Sequence, residues 1–174
     1  ADARVVLDAL IYDPGADSSM TLNLVKGSFS FVSGQIAKSG DENMQINTPV
    51  ATIGVRGTAG AGDDNEVILL PEEGPDGQPQ LGEISFRTQA GEAILNQPYQ
   101  GTSANSPFDA PTPPQTFSDT DVSTRFGDAL GFLPTEIPAN RQLRQERQQR
   151  EEDDGGGGDP TDGGDGQADG QEAG

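Results

Sequence analysis

Asn47-Thr48-Pro49-Val50-Ala51-Thr52-Ile53-Gly54-Val55-Arg56-Gly57-Thr58 is the stretch on which the reading of the fold turns. Ala51, Ile53 and Val55 recur at every second position, so an extended chain places all three on one face. Pro49 has no N–H to give to a ladder, which sets Thr48-Pro49 at a strand start or a sheet edge. Gly54 and Gly57 permit tight turning, and Arg56 between them can donate to backbone carbonyls at a corner. With Ala59-Gly60-Ala61-Gly62 behind it, the run also has the look of a phosphate loop. No Gly-Lys-Ser/Thr ending follows, Asp63 and Asp64 would repel phosphate, and no helix opens there. The stretch reads as architecture.

Upstream, short alternating segments lead into it. In residues 20–26, Met20, Leu22 and Leu24 share one face, with Thr21 and Asn23 on the other. Gly27 breaks the run; Phe29 and Phe31 then alternate with Ser28 and Ser30 until Gly34. Residues 33–40 form a short apolar step read as a further strand, and Met44 and Ile46 mark another. Residues 4–12 (RVVLDALIY) are too short for a helix and stop at Asp13-Pro14-Gly15, so they read as a strand closed by a turn. Downstream, Glu66-Val67-Ile68-Leu69-Leu70 is a continuous apolar run of the kind found in strands buried on both sides. Residues 71–82 read as a long exposed hairpin loop, and residues 83–88 and 92–95 complete the pattern.

About eight short strands in roughly a hundred residues, punctuated by Gly or Pro every 8–12, point to an all-β fold. The expectation is a small β-solenoid or β-helix-like stack, with a jelly-roll-like sandwich as the alternative. Residues 1–104 would form this domain. Residues 105–117 are Pro-rich and read as an extended linker. In residues 118–133, Val122, Phe126, Leu130 and Leu133 sit at helical spacing, with Ser118 or Asp119 to cap. This amphipathic helix would dock its stripe on the β-domain or offer it to a partner. Residues 134–152 read as a linker and a polar helix, and residues 153–174 as a disordered acidic, Gly-rich tail.

The formal net charge of −19 over 174 residues argues against nucleic acid and anionic membranes as partners. Hydrophobic content is 31 %, against roughly 45–50 % in typical globular domains, so the folded part is small. The chain holds no Cys, His or Trp, which removes thiolate chemistry, an imidazole base and a Ser-His-Asp arrangement. No apolar run approaches the roughly 20 residues that span a bilayer, so no direct membrane insertion is expected of this segment. The chain begins at Ala1 in mid-pattern, which reads as a processed or truncated N-terminus. Asp159, Asp162 and Asp165 are weak calcium candidates, since their spacing is not that of an EF-hand, and Asp63, Asp64 and Glu66 are no better. No carboxylate pair stands out for glycoside hydrolysis. No enzyme, cofactor or catalytic residue is expected.

Leu24-Val25-Lys26-Gly27-Ser28-Phe29-Ser30-Phe31-Val32-Ser33-Gly34, followed by residues 47–58, resembles the FecR domain family. Residues 5–14 resemble the segment that precedes this pattern and residues 91–101 its downstream coil. The resemblance covers roughly residues 1–104. It assigns a structural family motif to Gly27, Phe29, Phe31, Gly34, Thr48, Pro49, Ile53, Gly54, Arg56, Gly57 and Thr58. It implies a solenoid-like all-β domain in the bacterial envelope, periplasmic, surface-exposed or secreted, binding an unknown protein partner. The expected function is a non-enzymatic protein-interaction or sensory module. A structural surface or adhesin-like spacer is the alternative. A periplasmic regulator of a sigma factor in iron uptake comes third, because the family's anti-sigma segment, membrane helix and transporter-contacting module are not found in this sequence.

Overall fold

The computed structural model describes residues 3–13, 18–38, 43–73, 79–80 and 82–133. The first half of the chain forms β1 (Arg4–Ile11), β2 (Ser19–Lys26), β3 (Phe29–Val32), α1 (Gln35–Lys38), β4 (Met44–Asn47), β5 (Thr52–Arg56), β6 (Ala59–Gly62) and β7 (Glu66–Leu70). The second half adds β8 (Glu72–Glu73), β9 (Pro79–Gln80), β10 (Glu83–Arg87), β11 (Glu92–Leu95), β12 (Gln100–Ser103), β13 (Gln115–Thr116) and α2 (Asp119–Leu130). The fold is all-β with a short helix laid on it.

Six strands pair in the order β1-β2-β4-β5-β10-β11 and five in the order β13-β12-β7-β6-β3, while β8 and β9 pair alone. Solenoid coils would stack successive strands in parallel ladders. Here only β2 and β4 run parallel, and every other described pairing is antiparallel. The described strands therefore form neither a stack of coils nor a closed barrel. Tight turns favour hairpins, as at residues 48–51. There the Thr48 N–H donates to the Ala51 carbonyl at 2.8 Å, and the Thr48 hydroxyl oxygen accepts from the N–H groups of Val50 and Ala51 at 3.2 and 3.0 Å. Thr48-Pro49 thus lies in the β4–β5 turn rather than at a strand start.

The two sheets face each other across a core. Leu24, Met44, Ile46, Ile53, Val55, Ile84, Phe86 and Leu95 come from the six-stranded sheet, and Phe31, Val67 and Leu69 from the five-stranded one. A second core lies on the far side of the five-stranded sheet, where Ala59, Ala61, Ile68 and Leu70 meet Val122, Phe126, Leu130 and Leu133. The order is sheet, sheet, helix. The middle layer is covered on both faces, which is why β7 is apolar at every position from Val67 to Leu70. The helical stripe docks on the sheet.

The sequence reading missed β6. Ala59-Gly60-Ala61-Gly62 is a strand because its two faces need small residues. Phe29 and Phe31 sit opposite Gly62 and Gly60, and a Cβ at either glycine would press into the ring across from it. The rings stack on each other 6.1 Å apart. Residues 33–40, read as a strand, contain the single turn α1, which seals Ala37 completely. A run this short carries no period that separates helix from strand.

The Pro-rich stretch 105–117 runs extended along the body. Thr112 donates to the Ser103 carbonyl at 2.8 Å, the Thr102 hydroxyl to the Thr112 carbonyl at 2.7 Å, and Gln89 to the Pro107 carbonyl at 2.9 Å. It ends as β13, beside β12. The polar helix expected in 134–152 and the tail 153–174, with Asp159, Asp162 and Asp165, lie outside the described residues.

Candidate interaction surface

The motif residues fall at the joints and in the core. Gly27 (φ 92°) lies where the chain leaves the six-stranded sheet after β2 for β3, and Gly57 (φ 58°) where it leaves after β5 for β6. These are the only glycines with positive φ among the described residues. A side chain at Gly27 would also strike the backbone of Ala3. Beside the second joint Thr58 is fully buried, and its hydroxyl donates to the Leu70 carbonyl at 3.0 Å. Ile53 and Phe31 are core, Phe29 packs against them, and Gly34 faces open space. None of these residues points a free polar group into an enclosed cavity.

Gly54 and Arg56 face outward, where Gly54, Arg56, Glu83, Ser85, Arg87 and Glu92 outline a shallow groove of about 130 Å³. The groove exists because Gly54 has no side chain opposite Ser85. Two ion pairs flank it, Arg56–Glu83 at 3.4 Å and Arg87–Glu92 at 2.9 Å, all four side chains roughly a third to a half exposed. Surface pairs of this sort contribute at most about 1 kcal/mol each. Ser85 shares the groove with the carboxylates of Glu83 and Glu92. Sequence reasoning put Arg56 at a corner; its pairing with Glu83 across the β5–β10 ladder was not legible without the register.

Of the carboxylates weighed for calcium, Asp63, Asp64 and Glu66 lie among the described residues and have structural work. Asp63 accepts from the N–H groups of Asn65 and Glu66, both at 3.0 Å, and Asp64 from the N–H of Gly27 at 3.0 Å. Glu66 accepts from Arg125 Nη1 at 2.6 and 2.9 Å, and that guanidinium lies 4.7 Å from the centre of the Phe117 ring. Burial raises the Glu66 carboxyl above its ordinary value, against the opposing pull of Arg125. The pair clamps α2 to the end of β7. Among the described residues no group of three acidic side chains could hold a metal ion, and no helix is long and apolar enough to cross a membrane.

The largest unsatisfied feature is apolar. β1 lies at one edge of the six-stranded sheet and every residue in it is exposed. Val5, Val6, Leu7, Leu10 and Ile11 each leave between 42 % and 58 % of their surface in solvent, and Tyr12 beyond them 64 %. The register puts Val5, Leu7 and Leu10 on the inward face with Leu24, Leu22 and Met20, so both faces of β1 carry apolar side chains. The five-stranded sheet does not reach under it. In sequence, such a run is indistinguishable from a buried strand; Arg4 and Asp8 are its only polar marks. Comparison with protein-family models, with curated proteins and with solved structures finds no match to this chain.

Proposed function

We propose that this chain is a non-enzymatic protein of the FecR-domain type, placed in the bacterial envelope or secreted, that works as a protein-interaction or sensory module through β1. The carrying observation is the edge strand itself: eight residues long, open along one side and apolar on both faces. A strand of that kind is a template for another chain, since unpaired N–H and C=O groups line its edge. The motif residues support the family reading, because the two left-handed glycines fall at the two sheet-to-sheet joints. The want of histidine and cysteine supports a binding role rather than catalysis. Two facing sheets favour the sandwich alternative for the fold. They take away one motive for the spacer reading, the solenoid-like punctuation, and leave the other, the acidic tail.

The test is a site-specific photo-crosslinker in the full-length protein in bacterial cells, placed at Leu10 on β1 or at exposed Thr124 on α2, together with protease accessibility of intact and osmotically opened cells. Crosslinked adducts from Leu10 and not from Thr124, on protein outside the cytoplasm, are expected. Retention in the cytoplasm refutes the location, and silence at Leu10 refutes the surface.

A further inference from the structure

We infer that the outer face of the six-stranded sheet binds a neutral glycan chain, with one sugar unit seated in the groove over Gly54. The site is separate from β1 and does not depend on it. The ladder registers lay the face out. Gln45, Gly54, Ser85 and Ile94 stand opposite one another across β4, β5, β10 and β11. Asn47, Thr52, Arg87 and Glu92 form the row on one side, and Arg56 opposes Glu83 on the other. All of these point away from the core, because the residues alternating with them, such as Ile46, Ile53, Val55 and Phe86, fill it. Gly54 makes the hollow: a Cβ there would come within 2.6 Å of Ser85 Oγ. At about 130 Å³ the groove is well short of the roughly 300–1,000 Å³ of drug-sized pockets, a size for one small ring.

Charge selects the ligand. The groove sets Arg56 and Arg87 against Glu83 and Glu92, a local balance of zero in a chain of net charge −19. An anion there meets two carboxylates and a repelling chain, and a cation meets two guanidinium groups. A neutral polyhydroxylated ligand meets no repulsion. In each ion pair a guanidinium, which only donates, lies 3.4 or 2.9 Å from a carboxylate, which only accepts. Adjacent hydroxyls of a sugar ring can accept from the first and donate to the second with both ion pairs intact. Ile94, 39 % exposed, supplies apolar surface for the C–H face of the ring. The polar surface continues beyond the groove, which argues for a chain rather than a free sugar. The Thr52 hydroxyl donates to Asn47 Oδ1 at 3.1 Å, and Asn47 Nδ2 donates to Asn23 Oδ1 at 3.0 Å. A line of hydroxyl and amide groups therefore runs from β5 over β4 to β2, already ordered before any ligand arrives. From β11 to β2 the strands span about 19 Å, longer than any single sugar ring.

The experiment is a two-dimensional NMR titration of the full chain with four neutral tetrasaccharides, cellotetraose, mannotetraose, galactotetraose and N-acetylchitotetraose, each taken to about 10 mM so that roughly millimolar binding is seen. Their parent monosaccharides, glucuronate and glucosamine are run beside them. At least one tetrasaccharide should shift the amides of Gly54, Ser85 and Ile94, with its monosaccharide about tenfold weaker and neither charged sugar stronger than glucose. Glu92→Ala, at an exposed position, should weaken binding about fivefold or more at an unchanged melting temperature. Gly54→Val fills the hollow and should abolish binding, while Thr124→Ala on α2 should leave it as it is. Should Gly54→Val fail to fold, Glu92→Ala decides alone. No response to any tetrasaccharide, or shifts confined to other faces, overturns the site. Tighter binding of glucuronate or glucosamine overturns the neutral ligand, and a monosaccharide as tight as its tetrasaccharide overturns the chain.

Discussion

Gly57 and Gly82 meet where β5 leaves the six-stranded sheet, and they are constrained for different reasons. Gly57 sits at φ 58°, where a Cβ costs roughly 1–2 kcal/mol. Gly82 has no unusual φ, but a Cβ there would run into the carbonyl oxygens of Arg56 and Gly57. Those atoms belong to the joint and cannot rotate away as a side chain would. Gly57→Ala should cost about 1 kcal/mol in chemical denaturation, and Gly82→Ala about 3 kcal/mol, at the upper end for overpacking. Equal losses would show that the corner yields. Tyr99 is the other residue held under constraint, at φ 58° with a real side chain. Its N–H donates to the Leu69 carbonyl and its own carbonyl accepts from Phe117, both at 3.0 Å, so the turn is fixed from both sides. Burial, and then the Asp119 carboxylate beside it, push the phenol up to about 12 from 10.0. An acid that holds its proton more tightly when folded favours the fold below the unfolded value. That contribution should disappear as pH rises from 10 to about 12. Ultraviolet titration of a Tyr12→Phe variant, which leaves Tyr99 as the only phenol, should show the late ionisation; a midpoint at the model-peptide value would mean that Tyr99 is not packed as described.

Helix α2 shows which part of an element a sequence exposes. Val122, Phe126 and Leu130 could be marked from their spacing, and all three are buried against the five-stranded sheet. The cap could be narrowed to Ser118 or Asp119. Ser118 takes it: its hydroxyl oxygen accepts from the Asp121 N–H at 3.2 Å, and Asp121 accepts from the Ser118 N–H at 3.2 Å in return. Those Ser118 hydrogen bonds hold the Asp121 carboxyl below its ordinary value. The cap's support is therefore complete above the unfolded value of 3.8 and lost as pH falls through the lower folded one. Ser118→Ala should cost about 1 kcal/mol near neutral pH and less in acid, and Phe126→Ala about 3–5 kcal/mol at either pH. A Phe126→Ala loss under about 1 kcal/mol would mean that the helix is not docked. Alternation likewise made β2, β3 and β5 legible, because one face of each is apolar, and a continuous apolar run made β7 legible, because both its faces are dry. β6 was not, since its glycines answer to Phe29 and Phe31 across the ladder rather than to any local period. Residues 105–117 are held by carbonyls of Ser103, Pro107 and Asp109, and hydrogen bonds of this kind leave no trace in side-chain pattern. The exposed edge of β1 escaped for a third reason: an apolar run reports that it wants cover, not whether the fold supplies it.

At the scale of the molecule, β7 ties the layers together. Val67 and Leu69 belong to the core between the sheets, while Ile68 and Leu70 belong to the core under α2, and all four are fully buried. Neither core can lose its share of β7 without exposing the other. The outermost layers differ in this respect: α2 closes a core, whereas β1 contacts only its neighbour β2 in the sheet. β1 should therefore open locally ahead of a single cooperative melt of the rest. Hydrogen exchange should find β1 opening first and at low cost, since few buried contacts oppose it. The sheets and α2 should then unfold together. Tyr99 packs against the helix-side core and reports that layer in the near-UV, while the far-UV signal reports the strands. Their midpoints should coincide. Ile53→Ala in one core and Phe126→Ala in the other should each lower both midpoints in concert, by the roughly 10 °C or more that about 3 kcal/mol implies in a domain of this size. A near-UV transition well below the far-UV one would show that α2 detaches alone, and that β7 does not couple the two cores.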